Sequence, residues 1–217
     1  RYINNDNGGD LQAKTVSLTA STFNEVATPG YVDATLFDTA EEFSASSTSP
    51  TGQIYLDFDR TADLELTGIQ SSGAVTIVLT DTTVAETPNL IIGVGNVAAG
   101  AAAQVSLTAD GGISSTTETG VVPGSITGGT ATLTALDDAV DVTTAVGQIA
   151  VDAFGVTITQ NGDVQIAPAG IVSDSGAGEI TLNVGGGSIL SGTGVLEGSS
   201  ASLVVDNNVD VLTTVDT

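Results

Sequence analysis

Three aspartates stand closest to chemistry in this chain. Asp57 and Asp59 alternate with apolar residues in Gln53-Ile54-Tyr55-Leu56-Asp57-Phe58-Asp59, and Asp63 follows four positions on. Alternate residues of a strand share one face, so the pattern predicts two carboxylates side by side, with a third just past the strand. Two carboxylates and a loop carbonyl are the oxygen donors that Ca²⁺ takes. The same pair, at the right separation, is what an acid/base mechanism on a glycosidic bond requires. Arg60 lies among them and offers a partner to one of them. The three aspartates are expected to form a solvated surface, with calcium at Asp57, Asp59 and Asp63 as the candidate metal, and no other cofactor is expected.

Other chemistry lacks its residues. The chain has no Cys and no His, which removes the usual ligands of zinc, copper and haem and the Ser–His and thiol mechanisms. Gly185-Gly186-Gly187 and Gly93-Val94-Gly95 have neither the lysine nor the following helix of a phosphate loop, so they are expected to be corners. Asn4-Asn5-Asp6-Asn7-Gly8-Gly9-Asp10 lacks the spacing of a calcium-binding loop and is expected to form a polar turn. Three Lys and Arg stand against 26 Asp and Glu, a net charge of −23. Phosphate recognition needs clustered cations, and so does an anionic membrane surface, so neither nucleic acid nor membrane is an expected partner. A lyase acting on acidic polysaccharide would also need cations for the developing negative charge. The reading is therefore non-enzymatic, with a β-helical lyase or hydrolase built on the three aspartates kept as an alternative.

The elements that carry these residues are strands. From Gly52 onward, short aliphatic pairs recur every few residues: Leu64/Leu66, Val75/Ile77/Leu79, Leu90/Ile92, Val105/Leu107, Ala131/Leu133, Ile149/Val151, Val156/Ile158, Val164/Ile166, Ile180/Leu182. Gly, Asn, Asp and Ser fill the gaps, as turns require. Hydrophobic residues make up 41% of the chain and aromatic residues 4%, so the core must be built from small branched side chains, which suit thin stacked layers. No segment keeps a helical period, and Asp38 to Phe43 is the one plausible helical turn. Leu90 to Ala103 is too short and too glycine-rich to span a membrane. The chain begins at Arg1, not Met, and is expected to be a mature or excised piece of something longer.

Repeats matter more than any single strand. Gly52-Gln53-Ile54 returns as Gly147-Gln148-Ile149. Val105 to Ile113 is similar to Ile180 to Ile189, and Ala131 to Thr144 to the stretch beginning at Ala201. Short strands at this spacing, about three to each twenty to twenty-five residues, fit one coil of a parallel β-solenoid whose coils stack about 4.8 Å apart. Paired Asp137-Asp138 and Asp206-Asn207-Asn208 fall at equivalent places and are expected to be corners.

These stretches (Val105–Ile113, Thr130–Thr144, Gly147–Ile158 and Glu179–Val215) resemble the degenerate repeats of large bacterial exoproteins of the filamentous-haemagglutinin type. The resemblance implies a right-handed parallel β-helix in a secreted or cell-surface protein: an adhesin, a matrix fibre or a toxin stalk. Residues 51–217 would be the solenoid, and residues 1–50 an irregular N-terminal segment or cap. Expected partners are further copies or neighbouring repeats of the same chain, and glycans or proteins of a host or matrix. One variant is a filament subunit joined end to end or by strand exchange. Tandem calcium-bridged β-sandwiches, each of about 100 residues, are the alternative fold.

Overall fold

The computed structural model describes residues 14–20, 40–83, 86–116 and 122–209. The chain is all-β. Its strands are β1 (Thr15–Ala20), β2 (Glu42–Ser47), β3 (Ile54–Asp59), β4 (Leu64–Gln70), β5 (Val75–Thr80), β6 (Leu90–Ile92), β7 (Val97–Ala98), β8 (Gln104–Ala109) and β9 (Ile113–Ser115). They continue with β10 (Ser125–Ala135), β11 (Val140–Ala153), β12 (Val156–Asn161), β13 (Val164–Ser173), β14 (Glu179–Gly185), β15 (Ile189–Leu190), β16 (Leu196–Glu197) and β17 (Ser200–Val205). A single 3-10 turn at Asp174–Gly176 is the only helical element among the described residues. No helix there is long and apolar enough to cross a membrane.

All the strands join one 17-stranded sheet, and every pairing among them is parallel. Sandwich sheets are antiparallel, so the described strands do not pair as tandem sandwiches would. The chain visits three ladders in rotation. Leu64 pairs with Leu90, Leu90 with Ile113, Ile113 with Val140, Val140 with Val156 and Val156 with Ile180. Ile69 pairs with Val97, Val97 with Ile126 and Ile126 with Thr144. Ile54 pairs with Val75, then Val105, Ala131, Ile149 and Ile166 in turn. Long β4 and β11 each pair with different strands along their two halves, so β4, β6, β9, β11, β10 and β7 form a closed ring of six parallel strands. The remaining strands extend the sheet outside that ring.

The core is the inward half of each alternation. The residues just named are buried, and so are Leu56, Ile77, Leu107, Leu133 and Val151 in the neighbouring column. Branched aliphatic residues favour strands because their stiff χ1 fits a pleated surface, and like residues stacked at one strand spacing leave no room for large voids. The first ladder carries one polar interruption, where Thr144 pairs with Gln160. Both are buried. The Thr144 hydroxyl donates to Gln160 Oε1 at 2.6 Å, and Gln160 Nε2 donates to the Val146 carbonyl at 3.0 Å, so burial leaves these groups hydrogen-bonded.

One local expectation changes. The helical turn at Asp38–Phe43 is not what its described residues form: Glu42 and Phe43 open β2, and Phe43 is fully buried. Helical propensity over six residues is weak, and the chance to bury a phenylalanine in a ladder outweighs it. The expected boundary near residue 50 interrupts no ladder, since β1 pairs with β2 and β2 with β4. The turn expected at Asn4–Asp10 lies outside the described residues.

Candidate functional site

Among the described residues the inward positions pack against one another, so the candidate groups are those of the outer surface. Asp57 points outward from β3 and is exposed. Asp59, at the end of the same strand, accepts from the Thr82 backbone N–H at 3.0 Å and from its hydroxyl at 2.6 Å. Asp63, exposed just before β4, accepts from both the backbone N–H (2.8 Å) and the Nδ2 (3.1 Å) of Asn89. Asn89 Oδ1 in turn accepts from Gly112 N–H at 2.7 Å. Asp59 and Asp63 thus bond the two ends of the one loop between β5 and β6. No group of three or more His, Cys, Asp or Glu side chains among the described residues is placed to hold a metal ion. Arg60 is buried; its guanidinium donates to the Ala40 carbonyl and, at 3.0 Å, to the Asp63 carbonyl, tying two loops beneath the strand.

The same device recurs along the molecule. Asp110 accepts from Asp81 N–H (2.6 Å), Asn96 from Ser125 N–H (2.7 Å), Asp163 from Ser188 N–H (2.8 Å) and Asp206 from Gly186 N–H (2.7 Å). Each bond joins one layer to the layer 20 to 30 positions away in the chain. Asx oxygens satisfy turn N–H groups that would otherwise lack partners, and a charged acceptor strengthens the bond. Asp206 is one of the corner residues expected from the repeats. Asp138, from the other expected corner, accepts from Ala139 N–H at 2.8 Å. Asp81, Asn89, Asn96, Asp110 and Asp163 were not singled out by spacing. Their one sequence signal is an Asx at a strand boundary, which is too common to be diagnostic.

Calcium has a quantitative expectation. A site bound at one hundred times its dissociation constant would add about 2.7 kcal/mol, or about 5–10 °C at this chain length. With the carboxylates of Asp59 and Asp63 already accepting from Thr82 and Asn89, and with no metal-holding group among the described residues, we expect no such rise when calcium is titrated against thermal melting. The layer ties have an expectation too. Asn89→Ala removes both the acceptor of Gly112 N–H and a donor to Asp63. It should lower the unfolding free energy by about 1–2 kcal/mol, measured by urea denaturation.

One further surface feature is a shallow groove of about 260 Å³ between the ends of β10, β11 and β13. Half-exposed Phe154 and Leu136 line it, with Asp152 and Asp174. Elsewhere, exposed Lys14 pairs with Glu41 at 2.7 Å. The hydrogen bond and charge of Glu41 raise the pKa of the Lys14 ammonium above the ordinary lysine value.

No family model, no curated protein and no solved structure matches this chain.

Proposed function

We propose that this chain is a structural segment of a secreted fibre or cell-surface adhesin, a right-handed parallel β-helix without catalysis of its own. The observation that carries the proposal is the apolar column Leu64–Leu90–Ile113–Val140–Val156–Ile180, one residue from each successive layer, all buried. Each layer covers the next, and the Asx ties fasten their corners, so resistance to bending comes from backbone ladders running along one axis. Right-handed coiling follows the strong preference of parallel crossover connections, about 98% in one sheet. The acidic outer face keeps such a rod soluble and repels non-specific partners. Adhesion to matrix or host glycans and proteins would use that outer face, where Phe154 and its flanking carboxylates give an apolar step on a polar surface.

Small-angle scattering tests the proposal. Nine strands lie along the first ladder, from β1 to β17, which at the strand spacing gives a rod about 40 Å long. A constant cross-section of that length is expected. Two separated compact masses would sink the rod.

A further inference from the structure

We infer, on the footing of the rod proposed above, that copies of this chain join head to tail, with the outer edge of β17 of one copy pairing in parallel with the outer edge of β1 of the next. Among the described residues β17 pairs only with β14, and β1 only with β2. The inward residues of both strands are correspondingly less covered than those further inside. Leu203 and Val205 are partly buried and Ala201 is exposed, while Ile180, Leu182 and Val184 one layer in are buried. A strand edge with unpaired N–H and C=O groups is a template for another chain.

The occupant follows from a repeated strand. Val16-Ser17-Leu18-Thr19-Ala20 of β1 is identical to Val105-Ser106-Leu107-Thr108-Ala109 of β8. In β8 this pentapeptide is covered on both edges, by β5 and by β10, and Val105, Leu107 and Ala109 are fully buried. In β1 it is covered on one edge among the described residues; Val16 is buried, and Leu18 and Ala20 remain partly exposed. The strand that β8 meets in β10 reads Ala131-Thr132-Leu133, with Val105 opposite Ala131 and Leu107 opposite Leu133. β17 reads Ala201-Ser202-Leu203. Setting Thr15 of one copy opposite Ser200 of another reproduces those partners, with Val16 on Ala201 and Leu18 on Leu203. It adds Ala20 on Val205, so a small side chain meets a larger one at both ends.

Charge does not set this polarity: Lys14, immediately before β1, is already paired with Glu41 and lies near exposed Glu42, and the opposite edge carries exposed Glu197 and Asp206. Because the interface uses two different surfaces, it does not close on itself and propagates as a filament. Net charge of −23 opposes the junction through long-range repulsion. Repulsion is screened beyond about 10 Å at 0.1 M salt and about 3 Å at 1 M, so growth increases with salt.

The absence of cysteine makes a clean test. Ser17 and Ser202 are exposed and fall opposite each other in the junction, at about 4.8 Å between strands, within reach of a disulfide. Mild oxidation of the S17C/S202C double variant in 1 M salt is expected to give a ladder of covalent multimers on a non-reducing gel. S17C and S202C alone stop at dimers. S17C/S200C, displaced by two residues to about 8 Å, loses the ladder. A double variant that stops at dimers, or equal ladders from both registers, overturns the inference. So does unmodified protein that sediments as a monomer at every concentration and salt. Scattering from the monomer fraction separates the two proposals: a rod that stays monomeric overturns the junction alone, and two compact masses overturn the rod beneath it.

Discussion

Phe58→Ala is expected to lower the unfolding free energy by about 4 kcal/mol, within the usual range for a buried aromatic truncated to alanine. Phe58 is 1% exposed and pairs in the ladder with Leu79. Its ring meets the ring of Phe43 edge to face, with centroids 5.1 Å apart and planes at 82°. Elsewhere the core is aliphatic, and the Phe43 ring beside it is held by its own place in β2, so the cavity would largely persist. At this chain length the loss corresponds to about 8–16 °C in Tm. Edge-to-face geometry adds a coupling of about 0.5–1.5 kcal/mol. A double-mutant cycle with Phe43→Ala should recover it, because the two rings touch. Loss of under about 1 kcal/mol in Phe58→Ala, the size of an ordinary surface change, would mean that the ring is not enclosed.

The two phenylalanines show how far the sequence could be read. Phe58 lies in a clean alternation, and its inward position followed from period two alone. Phe43 lies in Asp-Thr-Ala-Glu-Glu-Phe, whose charges and alanine favour a helical turn, and only its ladder partners Val16 and Leu66, on the two adjacent strands, make it a strand residue. Local pattern also could not say which ladder a strand joins. Gly52-Gln53-Ile54 and Gly147-Gln148-Ile149 place Ile54 and Ile149 in one column, as their similarity suggests. Val105 and Ile180, equivalent in the longer repeat, sit in different ladders. All the ladders demand the same inward alternation, so sequence similarity reports the layer geometry and not the face. The aspartates illustrate the same limit. Spacing on one strand put Asp57 and Asp59 on one face, but the oxygens of Asp59 and Asp63 are directed to N–H groups 23 and 26 residues onward, which no local motif encodes.

Gly95→Ala tests the corner stacking that the proposed rod requires. Gly95 lies in the turn between β6 and β7, and that turn rests directly on the backbone of β4. A Cβ there would fall inside the van der Waals shell of the Thr67 carbonyl and against Cα of Gly68. Both obstacles are main chain, so no rotamer change relieves them, and the layers must separate or the ladder on either side must slip. Ile69–Val97 follows immediately in that ladder, so displacement would uncover core residues. The expected loss is about 3 kcal/mol or more. Gly155→Ala is the control: the nearest atom to its added Cβ is the Ala139 methyl at 3.6 Å, and its φ is not among the positive values. Alanine there should be neutral or stabilising by up to about 1 kcal/mol, through the lost freedom of the unfolded chain. Urea denaturation of the two variants side by side reads the difference. Equal stability would mean that the corner of one layer does not bear on the next, and a rod whose layers do not touch at their corners has no source of stiffness there.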